Sequence, residues 1–185
     1  AGTDVINTSL GYSTFTDSAQ DHTYTEMNGN TTRIVKDVNI AAGKGMLVVV
    51  SAGNSGNNEW HYITTPGDAD SALTVGAVDN LEVYASFSSV GPASDGAMKP
   101  NVTAMGKGTT YVGTDGNVYT GNGTSFSAPL ITGLAACLWQ ANPQYTNMEI
   151  LAAIEQSSSQ YLNPDYEKGY GIPDFGLADQ ILNIK

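Results

Sequence analysis

An uninterrupted apolar run, Met46-Leu47-Val48-Val49-Val50, constrains the fold of this chain more than any other segment. Such a run is typical of a strand buried on both faces, as in a parallel sheet that is covered by helices. A strand-like segment at residues 5–11 precedes it, and apolar residues at helical spacing lie between the two. This helical set comprises Met27, Thr31, Ile34, Val38 and Ala41 or Ala42. Because Gly43-Lys44-Gly45 ends the helix, the sequence predicts a βαβ unit and an α/β fold.

The rest of the chain adds strands and helices to this unit. The predicted elements are a strand at Ala72–Val78, a short strand within irregular connections at 85–106, a hairpin at 109–120, a helix at 124–140, a helix after Thr146, and a last helix at 175–181. Asp115-Gly116 is the hairpin turn signal. Thr146 and Glu149 have the spacing of a capping box, so we expect a helix to begin there.

Composition describes one soluble globular domain, with 41% hydrophobic and 14% charged residues. Seven basic against 18 acidic residues give a net charge of -11, which argues against nucleic acid and anionic membranes as partners. The single cysteine, Cys137, excludes an intrachain disulfide, and its apolar neighbours predict a small buried side chain. The first residues lack the pattern of a signal peptide and the chain has no initiating Met, so we expect a piece of a longer protein.

A glycine-rich turn leads directly into an apolar stretch at residues 130–139. The turn and its continuation read Gly121-Asn122-Gly123-Thr124-Ser125-Phe126-Ser127-Ala128-Pro129. This arrangement places Ser125 at a helix N-terminus, where free N–H groups and the helix dipole stabilise developing negative charge. Gly123 would allow a substrate backbone to approach closely. Ser125 is therefore a candidate nucleophile, and the alternative is that it only caps the helix.

Ser51-Ala52-Gly53-Asn54 follows the buried strand at its carboxyl end, where open α/β sheets bind ligands. The Asn54 side chain could donate a hydrogen bond to an oxyanion, or it could stabilise an Asx turn locally. The chain has two histidines, and neither has the surroundings of a catalytic imidazole. His22 is expected in a solvated loop, and His61 is a weaker candidate for a base or a substrate contact. No spacing of Asp or Asn is diagnostic of a metal site.

These motifs resemble the C-terminal part of the catalytic domain of subtilisin-like serine peptidases, the subtilases. Residues 123–129 are similar to the serine motif and residues 51–54 to the oxyanion segment, so the resemblance implies Ser125 as nucleophile and Asn54 as oxyanion donor. Residues 5–11 are similar to the strand that flanks the substrate. The implied substrate-binding residues are Ser9, Leu10, Gly11, Ala52, Gly53, Gly123 and Thr124. Residues 85–92, 99–102 and 169–171 also match family segments in order, so the resemblance covers nearly the whole chain.

The resemblance implies a three-layer, parallel-sheet, subtilisin-like fold that is incomplete. The Asp and His motifs of the family precede the Ser-Leu-Gly strand, and both are absent from residues 1–185, which would form the C-terminal portion of one catalytic domain. The implied activity is that of a serine endopeptidase acting through an acyl-enzyme in the complete parent protein, and the piece alone is expected to be inactive. The alternative is a non-catalytic peptide-binding or structural module.

The expected partners are a polypeptide substrate and the missing N-terminal part of the same protein, and the piece alone is expected to self-associate through its exposed sheet edge. By resemblance, Leu10 and the segments 55–61 and 64–67 would shape the specificity pocket. Since nothing charged is evident there, we expect a medium or large apolar substrate residue. Bound Ca²⁺ and a secreted, periplasmic or cell-surface location are also expectations from the family.

Overall fold

The computed structural model describes residues 2–184, and its centre is a four-stranded sheet. The strands are β1 (Val5–Thr8), β2 (Leu47–Ser51), β3 (Ala72–Val78) and β4 (Val102–Met105). They lie in sequence order, and each neighbouring pair is parallel. Every residue of β2 and β3 is buried. The apolar run at residues 46–50 therefore is an inner strand of a parallel sheet, as predicted.

Helices cover both faces of this sheet. They are α1 (Arg33–Gly43), α2 (Thr124–Ala141), α3 (Asn147–Gln156) and α4 (Phe175–Asn183). Alternate residues of β2 point to opposite sides: Val48 and Val50 pack with α1, whereas Leu47 and Val49 pack with α2, α3 and α4. The result is the three-layer α/β fold that the sequence predicts.

Local signals explain where several elements begin. Thr146 and Glu149 form a capping box at the start of α3, in which each residue's side chain bonds the backbone N–H of the other. Strands β5 (Thr109–Val112) and β6 (Val118–Gly121) form the predicted antiparallel hairpin. In its turn, the Asp115 carboxylate accepts hydrogen bonds from Asn117 and from the Tyr119 hydroxyl, at 2.6 Å for the latter.

Helix α1 is shorter than the apolar spacing predicts. Met27 has helical spacing to Ile34 and Val38, but it ends a short 3-10 turn and is fully buried. The helix begins at Arg33 because the extended backbone of Thr32 interrupts helical geometry, and the Thr32 hydroxyl caps the helix by accepting from Val35 N–H. The prediction of a helix starting near Met27 is therefore wrong.

One face of α2 is exposed, which corrects the prediction that Cys137 is buried. Cys137 is exposed, as are Leu130 and Leu134 at 45% and 48%, and these three residues lie on one side of the helix. The opposite side of α2, with Ile131, Ala135 and Leu138, packs against the sheet. Apolar neighbours in sequence could not distinguish the two sides. Strand β1 forms an edge of the sheet in the part of the chain that the structure describes.

Across residues 2–184, no helix combines the length and the apolar character that a membrane crossing requires.

Candidate active site

Three segments meet at the carboxyl edge of the sheet. Ser9 follows β1, Asn54 follows β2, and Ser125 lies in the first turn of α2. Together they border a cavity of about 280 Å³. The lining residues are Ser9, Gly11, Tyr12, Ser13, Thr14, Ser51, Gly53, Asn54, Ser55, Thr64, Thr124 and Ser125. The two residues predicted for chemistry thus border one concave site at the edge where parallel sheets bind ligands.

Ser125 is exposed at the second position of α2, next to free backbone donors. The N–H of Thr124 donates to Asn54 and that of Phe126 donates to Gly123 O, but the N–H of Ser125 donates to no residue in the range 2–184. The positive end of the helix dipole adds to this local potential. The first turn of α2 therefore offers an unused donor beside the serine hydroxyl.

The carbonyl oxygen of Ser125 accepts its hydrogen bond from a residue outside α2. Pro129 lies inside α2 and has no N–H to donate back to Ser125 O, the acceptor four residues earlier. The Ser9 hydroxyl instead donates to Ser125 O at 3.3 Å. Ser9 in turn accepts from Asn7 Nδ2, and Asn7 Oδ1 accepts from the Thr132 hydroxyl, each at 3.0 Å. This chain of hydrogen bonds fixes the end of β1 against α2.

Asn54 is held in one orientation by Thr124. The backbone N–H of Thr124 donates to Asn54 Oδ1 at 2.9 Å, and the Thr124 hydroxyl donates to the same oxygen at 3.0 Å. Since an N–H can only donate, its partner must be the oxygen of the amide and not the nitrogen. The Thr124 hydroxyl also accepts from Gly53 N–H at 3.2 Å. The oxygen of Asn54 is thereby occupied, and its Nδ2 remains available to a ligand in the cavity.

The predicted substrate-binding residues divide into two groups. Ser9, Gly11, Gly53 and Thr124 line the cavity. The other three do not: Leu10 is 53% exposed outside it, Gly123 is buried directly before the first residue of α2, and Ala52 is fully buried. Both backbone groups of Ala52 bond to protein, to Val75 O and Thr64 N. Substrate contacts by these seven residues remain predictions.

Neither histidine lines the cavity. The Nδ1 of His61 bonds Gly56 O at 2.6 Å, and the residue has a positive φ of 64°. His22 packs edge-on against Phe15, and its Nδ1 lies 3.8 Å from a Glu26 oxygen. His22 is partly exposed and lies in a loop, where the sequence predicted a solvated histidine. Among residues 2–184, no His, Asp, Glu, Lys or Arg borders the cavity, so the described site contains no group suited to act as a general base toward Ser125.

Some features of this region have no clear sequence signal. Tyr12, Ser13 and Thr14 line the cavity although they follow the motif that pointed to Ser9 and Gly11. Lys99 is almost completely buried, and the three N–H groups of its Nζ lie within hydrogen-bond distance, 2.7 to 3.1 Å, of four oxygens: Ala69 O, Ala72 O, Thr74 Oγ1 and Asn101 Oδ1. Burial lowers the pKa of Lys99 to about 8. A Lys-Pro pair gives no indication of such a cage before the fold is known.

Calcium binding, which the family resemblance implies, stays a prediction. Within residues 2–184, no group of three or more His, Cys, Asp or Glu side chains is arranged to hold a metal ion. Ca²⁺ prefers six to eight oxygen ligands, usually including carboxylates.

Known proteins share both the fold and the motifs. The model of the subtilase family matches residues 1–171. This chain belongs to the subtilase family. It is 32% identical to subtilisin NAT of Bacillus subtilis subsp. natto across 96% of its length, and 32% identical to subtilisin DY of Bacillus licheniformis across 97%. It is 30% identical to serine protease AprX of Bacillus subtilis across 71% of its length. The subtilase family is one of serine peptidases, which confirms the family that the sequence resembles.

The chain spans only part of these relatives: 41% of subtilisin NAT, 58% of subtilisin DY and 34% of AprX. Among solved structures, the prenylagaramide maturation protease PagA is similar with a TM-score of 0.74 and 23% identity. The match covers 98% of this chain and 62% of PagA. At this identity the similarity supports the subtilase fold.

Proposed function

We propose that the complete protein is a serine endopeptidase in which Ser125 is the nucleophile and Asn54 is an oxyanion donor. The observation that carries the proposal is the orientation of Asn54. Thr124 occupies Asn54 Oδ1 through two hydrogen bonds, so Nδ2 is free at the cavity that Ser125 also lines. Preorganised donors aimed at developing negative charge are a major source of catalysis in acyl transfer.

In the proposed mechanism, Ser125 Oγ attacks the carbonyl carbon of a peptide bond and loses its proton to a histidine. The Asn54 amide and the free N–H of Ser125 stabilise the resulting oxyanion. The imidazolium then protonates the leaving amine, and water releases the acyl group by the same steps. A serine hydroxyl needs an adjacent base at neutral pH, and the cavity described above has none.

We therefore propose that the histidine, and the aspartate that orients it, come from an upstream segment of the same protein. The chain spans 34% to 58% of the three curated relatives named above, which leaves room for such a segment. The exposed face of α2 and the edge strand β1 are apolar or unpaired surfaces that it would cover. Residues 1–185 alone are expected to show almost no turnover. We assign no role to calcium, and a location outside the cytoplasm remains part of the proposal.

Fluorophosphonate labelling tests this proposal. The full-length protein should label, whereas its Ser125→Ala variant and residues 1–185 alone should not. Labelling of residues 1–185 would contradict the need for an upstream base. A full-length protein that stays unlabelled after removal of any pro-segment would refute the catalytic assignment and favour a non-catalytic peptide-binding module.

A further inference from the structure

The first turn of α2 contains a backbone acceptor that lacks its regular helical donor. In an α-helix, a carbonyl oxygen accepts from the N–H four residues later, and for Ser125 that residue is Pro129. Proline has no N–H, so the regular bond is missing at the residue whose hydroxyl is the proposed nucleophile. Without a donor, the peptide plane that follows Ser125 has nothing that fixes its direction. The sequence of the helix therefore makes the alignment of Ser125 depend on a donor from another segment.

The Ser9 hydroxyl supplies this donor. Its Oγ lies 3.3 Å from Ser125 O, which is long for a hydrogen bond between two oxygens. Asn7 Nδ2 lies 3.0 Å from the same Oγ. Because an amide nitrogen only donates, this second contact uses a lone pair of Ser9 Oγ and leaves the hydroxyl proton for Ser125 O. Asn7 thus orients the Ser9 hydroxyl toward the helix.

The backbone on both sides of Ser125 is anchored to the sheet. On the preceding side, the N–H of Thr124 donates to Asn54 Oδ1 at 2.9 Å, and on the following side the Ser125 carbonyl accepts from Ser9. Ser9 follows β1 and Asn54 follows β2, and these two strands are paired in parallel. The two anchors therefore come from neighbouring strands of one sheet, and together they set the place of Ser125 in the cavity.

We propose that Ser9 is a positioning residue for the nucleophile: its hydroxyl replaces the helical donor that Pro129 lacks and aligns Ser125 for attack. This inference rests on the proposed peptidase function. It gives the Ser9 side chain a partner within the protein, whereas the sequence resemblance implies a contact with substrate. Alignment of the reacting atoms acts on the chemical step and not on the binding of the substrate, so its loss lowers kcat and leaves KM nearly unchanged.

Steady-state kinetics of the full-length protein with a peptide amide substrate test the inference. Ser9→Ala removes the donor and should lower kcat by about two- to fivefold, the lower part of the range for one neutral hydrogen bond, since this bond is long. KM should change by less than about twofold. Ser9→Thr keeps a hydroxyl at the same place and should retain most of the wild-type kcat. A wild-type kcat in Ser9→Ala, or a loss confined to KM, would overturn the inference.

Pro129→Ala separates positioning from any other role of the Ser9 hydroxyl. This variant restores an N–H four residues after Ser125, so the helix can bond the carbonyl oxygen itself. In the Pro129→Ala background, adding Ser9→Ala should therefore change kcat by less than about 1.5-fold. Equal losses from Ser9→Ala in both backgrounds would show that the hydroxyl acts on another group, and the inference would be wrong.

An NMR readout detects the hydrogen bond without turnover. With isotope labels at serine carbonyl carbons and phenylalanine nitrogens, only Ser-Phe peptide bonds give signals, and residues 1–185 contain two, Ser86-Phe87 and Ser125-Phe126. Ser9→Ala should shift the Ser125 carbonyl signal and leave the Ser86 signal, the internal control, unchanged. An unmoved Ser125 signal in an active enzyme would overturn this inference alone. A protein that shows the shift but neither cleaves peptides nor labels would refute the proposed function and, with it, the positioning role.

Discussion

Removing the Thr124 hydroxyl should weaken catalysis through Asn54, without any direct contact between that hydroxyl and the reacting atoms. Thr124→Val preserves the shape of the side chain but deletes two hydrogen bonds, one to Asn54 Oδ1 at 3.0 Å and one from Gly53 N–H at 3.2 Å. The bond from the Thr124 N–H to Asn54 remains. Asn54 therefore keeps one of its two anchors and becomes free to rotate about the other.

The expected loss of activity in Thr124→Val follows from two known magnitudes. Complete loss of the corresponding Asn donor in subtilisin, a member of the same family, costs about 10²–10³ in kcat, which sets the upper limit. A single neutral hydrogen bond contributes about 0.5–1.5 kcal/mol. Since about 1.4 kcal/mol corresponds to a factor of ten in rate, we expect Thr124→Val to lower kcat/KM of the full-length protein by about two- to tenfold.

Thr124→Ser is the matched control, because it keeps the hydroxyl and should keep most of the activity. A double-mutant cycle with Asn54→Leu then tests the route of the effect. If the Thr124 hydroxyl acts by orienting Asn54, Thr124→Val should have little further effect once Asn54 is replaced. Equal losses from Thr124→Val in both backgrounds, or a Thr124→Val enzyme within twofold of wild type, would refute this reasoning.

Three further predictions concern other parts of the structure. Lys99→Met should lower the free energy of unfolding by roughly 2–4 kcal/mol at pH 7, since buried oxygens lose their donor. Because burial lowers the pKa of Lys99 to about 8, the unfolded chain binds more protons between about pH 8 and 10.5. The free energy of unfolding of the wild type should therefore rise with pH across this window relative to that of Lys99→Met. Identical pH profiles of the two proteins in denaturant titrations would contradict this prediction. Hydrogen bonds lower the pKa of Asp115 to about 2, and the bond from the Tyr119 hydroxyl contributes most. Tyr119→Phe should therefore raise the pKa of Asp115 in an NMR titration. An unchanged Asp115 pKa would show that this hydrogen bond is absent in solution. Leu134 is 48% exposed on the apolar face of α2, so Leu134→Glu should reduce the self-association of residues 1–185 in analytical ultracentrifugation. An unaltered association constant would show that another surface mediates the self-association.

The sequence predicted the layers of the fold more reliably than the limits of its elements. The apolar run at residues 46–50 and the Gly43-Lys44-Gly45 segment at the end of α1 are local signals, and the buried strand and the helix end that they predict are both confirmed. The predicted start of α1 was wrong because Met27 is apolar for a different reason: it lies in a 3-10 turn and is buried by tertiary packing. Its helical spacing to Ile34 is coincidental. Burial alone produces an apolar residue in a turn as readily as in a helix.

For the site, motifs predicted roles for Ser125 and Asn54 but could not supply the geometry of the two residues. The Gly-rich turn and the position of Asn54 after a buried strand are readable from the order of residues, and the structure brings both residues to one cavity. The fixation of Asn54 by Thr124 joins positions 70 residues apart, and the bond from Ser9 to Ser125 joins positions 116 apart. No local pattern encodes such pairs, because hydrogen bonds between distant segments depend on how the sheet and helices are packed.

The sequence by itself determined the class of fold, the family, and the residues at which to look for a nucleophile and an oxyanion donor. These properties follow from periodicity, turn chemistry and short motifs, each contained within a few neighbouring residues. The tertiary structure alone decided that Cys137 is exposed and that the buried Lys99 ammonium lies within hydrogen-bond distance of four oxygens. Burial and hydrogen bonding are properties of surroundings, and a residue acquires its surroundings only when segments far apart in the chain come together.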